Sequence, residues 1–168
     1  MQTKKKQRRA VVCKVLLASL YIVIFWFSAQ NGEDSGAIST SVSQKGIWFL
    51  DILTGRSIKA ERLAELVLAL EHPLRKIAHF AEYALMGILV FRILYCYVEQ
   101  WGRRYILAVL WVFLSAAADE IHQYFVPGRW ASVSDVLLDT CGGAAGAGVC
   151  MAALYAAKKY RRKKQKNI

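Results

Sequence analysis

The chain has 168 residues, of which 56% are hydrophobic, and a formal charge of +11. Its apolar residues come in long blocks, which excludes an ordinary soluble domain and points to a membrane protein. Nucleic-acid binding is excluded as well: no such motif is present, and the charge excess lies in KKKQRR (residues 4–9) and KKYRRKKQK (residues 158–166), each against an apolar run. Membrane proteins carry cytoplasmic charge in this way.

Four expected spans follow in chain order, at 11–29, 77–98, 105–125 and 133–157. Each is long enough to cross ~30 Å of hydrocarbon at ~1.5 Å per residue. The first has the basic start and apolar middle of a secretory signal peptide. However, its apolar stretch is long, and Phe27 in FSAQ occupies a position where a cleavage site wants a small residue. An uncleaved anchor is expected.

Segment 30–76 is too long for a plain loop. GIWFLDIL (46–53) reads as a short apolar patch. SIKAERLAELVLALEH (57–72) places Leu63, Leu66, Val67 and Leu70 on one face at helical spacing, with Glu61, Arg62 and Glu65 mainly opposite. This predicts an amphipathic helix on the outer membrane surface or capping the bundle. Packing is preferred to a substrate lid. Pro73 fits the first turn of the second span.

In the fourth span, CGGAAGAGVC spaces Gly142 from Gly146, and Ala144 from Gly148, by four. Small residues at that spacing let helix backbones approach closely in lipid. Cys13, Cys96, Cys141 and Cys150 lie in or beside apolar runs without a CxxC pair. They read as small buried hydrophobes rather than disulfides or metal ligands.

Topology follows from the basic residues. Both termini are expected in the cytoplasm, with tails 1–10 and 158–168. The link EQWGRR (99–104) is expected there too, and 30–76 outside, where six basic residues (Arg56 and Lys59 among them) balance six acidic ones. The expected fold is therefore all-α: one domain over 1–168, an integral membrane bundle of four transmembrane helices with an extracytoplasmic amphipathic helical segment between the first two.

This topology puts every intramembrane acid in one layer on the extracytoplasmic side: Glu82, Asp119, Glu120, Asp135 and Asp139. His79, Tyr83, His122, Gln123, Ser28 and Gln30 lie at the same level, with Arg75, Lys76 and Arg129 above. The inner half is expected to hold only Lys14 and Arg92, each able to snorkel. A charge at the centre of a span costs about 2.5–3.5 kcal/mol, less near the interface. Five acids are tolerable only if they face inward, pair with cations or line a wet cavity. Arg75/His79/Glu82, Asp119/His122/Gln123 and Asp135/Asp139 each share a helix face by spacing, so three helices can aim polar stripes at one point.

The alternatives are a functional pocket and a structural ion-pair network. As a site, His79, Asp119, Glu120 and Asp135 are the catalytic candidates for general acid and base. No activated serine or cysteine nucleophile is evident. Asp119, Glu120, His79 and Asp135 also suit a divalent metal ion, although HExxH is absent. The cofactor question stays open.

The pieces FSAQNGEDSGAIST, RKIAHFAEYALMG and DEIHQYFVPGRWASVSDVLLDTCGGAAG resemble the VanZ-like family of small bacterial integral membrane proteins. The family pattern maps onto Ser28, Gln30, Lys76, His79, Tyr83, Asp119, Glu120, Gln123, Arg129, Ser132, Asp135 and Gly142. Asp139 stands where the family often has Asn, so its charge is not expected to be required. The resemblance implies a multi-pass protein of the bacterial plasma membrane, associated with reduced sensitivity to teicoplanin and related lipid-tailed glycopeptides. Lys76, Tyr83, Gln123, Arg129, Ser132, Gln30 and Ser28 are the substrate-binding candidates. Expected partners are a membrane lipid, a lipid-linked envelope intermediate or the antibiotic itself, which the site would bind or modify. A non-catalytic binder or accessory protein is the alternative.

Overall fold

The computed structural model describes residues 2–55 and 60–166. Arg56 and Lys59 of the charge balance, and the first three residues of the expected amphipathic helix (57–59), lie outside the described residues. Five helices follow one another: α1 (Gln2–Ser28), α2 (Gly32–Thr54), α3 (Ala60–Tyr97), α4 (Trp101–Tyr124) and α5 (Val133–Lys166). There is no strand among the described residues. Four helices carry stretches long and apolar enough to cross a membrane: Lys6–Ser28, Glu61–Tyr97, Trp101–Tyr124 and Val133–Gln165. Large apolar side chains such as Leu16, Ile22, Ile106 and Leu114 are exposed on them, as a lipid-facing surface requires.

α3 is the hub and packs on every other helix, most extensively on α5. The reason lies in the small residues of α5. A Cβ on Gly142 would collide with the Phe80 carbonyl oxygen, and one on Gly146 with the Ala84 carbonyl oxygen. Gly87 of α3 abuts the Gly143 carbonyl in return, and Gly143 also faces Val112 of α4. Three helices thus meet at backbone distance, where van der Waals packing replaces the hydrophobic drive that lipid cannot supply. Of the second small-residue pair, Gly148 meets only Tyr105 of α4, at ordinary contact distance. Around this seam Tyr83, Met86, Phe91, Ala108, Val112, Ala116 and Ala147 are completely buried. Along α4 the buried face steps by four through Arg104, Ala108, Val112, Ala116 and Glu120.

Several expectations are corrected. GIWFLDIL is not an isolated patch but the end of the 23-residue α2. This helix buries Ser43 and Ile47 and packs on α3. Its serines weakened the helical signal, because they compete for backbone groups. Here Ser39 and Ser43 donate back to the carbonyls of Ser35 and Ser39. Pro73 does not open a new helix. α3 runs through it, so the expected second span is the C-terminal part of a 38-residue helix that also carries the amphipathic segment. Over the described residues, both basic tails are helical extensions, of α1 and of α5.

Arg104 is not a link residue. It is buried inside α4, with its guanidinium 4.5 Å from the Tyr95 ring centre and 4.9 Å from that of Trp101. It also donates to the Val98 carbonyl, pinning the turn between α3 and α4. Burial is not common to the four cysteines: Cys13 and Cys150 are buried, Cys96 is half-buried and Cys141 is exposed.

Candidate functional site

α1 and α4 end, and α5 begins, at one end of the bundle, which α3 crosses between Arg75 and Tyr83. A polar cavity of about 340 Å³ lies there. From α3 it receives His72, Arg75, Lys76 and His79, and from α4 Glu120 and Gln123. α5 supplies Asp135 and Asp139, and the α4–α5 loop supplies Arg129 and Trp130.

The loop is held by backbone. Gly128 adopts φ 75°, a conformation that favours glycine. This turn lies against Gly32, whose N–H donates to the Pro127 carbonyl at 3.2 Å, and a Cβ on Gly32 would strike the Gly128 oxygen. Arg129 is thereby directed onto the end of α1, where its Nη2 donates to the Phe27 carbonyl at 3.1 Å. Carbonyls at a helix C-terminus lack intrahelical partners and carry partial negative charge, so a guanidinium suits them.

Two further ties brace the same end. The Glu120 carboxylate accepts the Ser132 N–H at 2.7 Å, fixing the entry to α5. Gln123 Nε2 donates to Ser28 Oγ at 3.3 Å and to Asp119 Oδ2 at 3.0 Å.

The remaining groups are less committed. Lys76 Nζ lies 3.1 Å from Asp135 Oδ1, with both side chains more than a third exposed. Asp139 is 1% exposed, and neither of its carboxyl oxygens has a hydrogen-bond partner. The nearest basic side chain is His79, whose Nδ1 is 3.9 Å away. An isolated buried carboxylate is costly, so this pair is poised to take up a proton or a cationic or hydrogen-bonding group.

Cations concentrate on one side. Arg75, His79 and Arg129 also line a second cavity of about 210 Å³ between α1, α2 and α3, with Gln30 and Glu82. Burial, and then the positive charge of Arg75, push the Arg129 guanidinium below its ordinary range; Asp119 and Glu120 oppose this. Arginine stays charged regardless. Arg75 and Arg129 face the same space, where Arg75 is also held by Glu71 at 2.9 Å.

A family model described as VanZ/LLP1 matches residues 14–155. The chain belongs to the VanZ/LLP1 family. It is a multi-pass membrane protein, and every candidate residue falls inside the matched region. No curated protein and no solved structure matches the chain.

The VanZ/LLP1 residues singled out in the sequence do not all share one space. Lys76, His79, Glu120, Gln123, Arg129 and Asp135 line the polar cavity. Gln30 lies in the adjoining small one. Ser28 is buried at the end of α1. Ser132 contributes its backbone, and its hydroxyl is 2.7 Å from that of Ser134. Asp119 and Tyr83 instead line a separate apolar groove between α1 and α4, with His122. The expected single face of Asp119, His122 and Gln123 is thus divided between two spaces. The divalent-ion set is divided too. Among the described residues, no three His, Cys, Asp or Glu side chains group where a metal ion could be held.

The sequence reading passed over His72 and Trp130, and it discounted Asp139. The signal for Asp139 was its position four residues after Asp135, on the same helical face.

Proposed function

We propose that the polar cavity of this VanZ/LLP1 protein binds the anionic headgroup of a lipid-linked or lipid-tailed substrate at the outer leaflet of the bacterial plasma membrane. Lys76 and Arg129, with Arg75 behind them, receive the phosphate or carboxylate. Guanidinium and ammonium groups suit it by charge and by multiple donors. Asp139 lies deepest, and with His79 it exchanges a proton with the bound group, as acid–base chemistry requires. Asp135 holds Lys76. The observation that carries this reading is Asp139: completely buried, without a hydrogen-bond partner, and 3.9 Å from His79 in a cavity that Arg75, Lys76 and Arg129 also line.

Glu120, Gln123 and Ser132 are assigned to positioning rather than chemistry. Each joins one element to another in the hydrogen bonds described above, and this is the part of the polar layer that a structural network accounts for. In a cell the expected consequence, as the family resemblance implies, is reduced sensitivity to teicoplanin and related lipid-tailed glycopeptides. The test is expression of the full chain in a sensitive bacterial host beside His79→Ala and Asp139→Asn, with membrane levels matched. Protection by the parent chain, lost in both variants while they remain folded, supports the reading. Undiminished protection by both variants overturns it.

A further inference from the structure

The apolar groove between α1 and α4 has a volume of about 520 Å³, within the ~300–1,000 Å³ usual for small-molecule sites. Its walls are Ile24 and Phe25 of α1, and Leu114 and Ala118 of α4. α1 and α4 touch only sparsely, and Phe25, Trp111 and Leu114 are more than half exposed, so the groove opens sideways. One end is closed by a cyclic tie. Trp111 Nε1 donates to the Tyr21 hydroxyl at 2.9 Å, Tyr21 and Ser115 are joined at 2.5 Å, and Ser115 Oγ donates to the Trp111 carbonyl at 2.9 Å. The other end is polar. Asp119 and His122 lie there, with His122 Nδ1 buried and lacking a hydrogen-bond partner.

We infer that this groove receives one hydrocarbon chain of an anionic outer-leaflet lipid whose headgroup occupies the polar cavity. The inference rests on the headgroup reading above and adds the seat of the tail. Three observations specify the occupant. From Trp111 to His122 the groove follows α4 for about 16 Å at ~1.5 Å per residue, and one leaflet of a ~30 Å core is about half that thickness. Its walls are hydrocarbon and aromatic, and its carboxylate and imidazole, Asp119 and His122, are at one end, the distribution of a single-headed lipid. That end lies beside the polar cavity: the Asp119 carboxylate in the groove accepts from Gln123, which lines the cavity.

The test uses the full chain in phosphatidylcholine nanodiscs containing phosphatidylglycerol with a mid-chain diazirine. Photolabelled peptides are mapped by mass spectrometry, and outward-facing Ile106, 67% exposed, reports on surrounding bulk lipid. Saturable labelling at Ile24, Phe25 and Leu114 in excess of that at Ile106 is expected. It should fall roughly tenfold in Ala118→Trp, which fills the groove from an exposed position. Leu114→Trp, also exposed, serves if Ala118→Trp does not fold. Lys76→Gln, run in parallel, is expected to weaken phosphatidylglycerol retention.

Groove labelling no greater than at Ile106, with retention still dependent on Lys76, overturns the groove and leaves the headgroup site standing. Groove labelling lost in Ala118→Trp but indifferent to Lys76→Gln supports the groove and overturns the headgroup assignment.

Discussion

The α3–α5 seam and the α1–α4 groove reach the same end of the bundle but are built oppositely. α3 and α5 meet at backbone distance because Gly87, Gly142, Gly143 and Gly146 present no side chain there. α1 and α4 are held apart by aromatic and branched side chains and joined through the Tyr21–Ser115–Trp111 tie. The difference teaches a division of labour. A seam without slack fixes the spacing of groups on facing helices, and His79/Asp139 and Lys76/Asp135 lie on the same two helices as the glycine contacts. A loosely joined pair of helices leaves volume for something the protein does not itself supply.

The strongest way to break this comparison is to add the same side chain to each side. Gly146→Leu drives carbon into the Ala84 backbone, which cannot rotate away as a side chain would. Overpacking costs about 1–3 kcal/mol even where side chains adjust, so this variant is expected to yield no monodisperse protein after extraction. Ala118→Leu, on the exposed groove wall, should move the thermal midpoint little, within about 0.5 kcal/mol of stability. Equal effects at the two positions would erase the distinction.

The second test sharpens the seam's role. If the buried Asp139 is kept for function, Asp139→Asn removes a costly charge with little change in shape. Thermal stability should stay level or rise by about 1 kcal/mol, while protection against the glycopeptide is lost. A clear loss of stability would move Asp139 into the structural network.

The third concerns the groove's tie. Tyr21→Phe deletes the hydroxyl that links α1 to α4 and should cost about 1 kcal/mol, read as a lower midpoint of thermal unfolding. Smallest of all is Arg62→Ala on α3. The Arg62–Glu65 pair is 67% exposed on both sides, and such pairs contribute about 0.2–1 kcal/mol at most. Its midpoint should be nearly that of the parent chain.

The features legible in the sequence were those set by local spacing and charge. The four long apolar runs, the small-residue register at Gly142 and Gly146, and the gathering of acids in one layer all follow from periodicity and from counting spans. What was not legible depends on partners distant in sequence. α2 has serines and glycines that disfavour a helix locally, and it is held by packing on α3. Nothing near Arg104 announces that Tyr95 and Trp101 will cover it. Arg129 resembles an anion ligand in sequence, yet part of its bonding capacity is taken by the end of α1, 102 residues away. The division of Asp119 from Gln123 is subtler, because residues four apart share a helix face but can still border different spaces.

The account stands on the polar cavity holding an anionic headgroup. Native mass spectrometry of the full chain released from mixed phosphatidylcholine and phosphatidylglycerol membranes tests this most directly. The expected result is preferential retention of phosphatidylglycerol, reduced roughly tenfold in Lys76→Gln. Equal retention of the two lipids by the parent chain would contradict it.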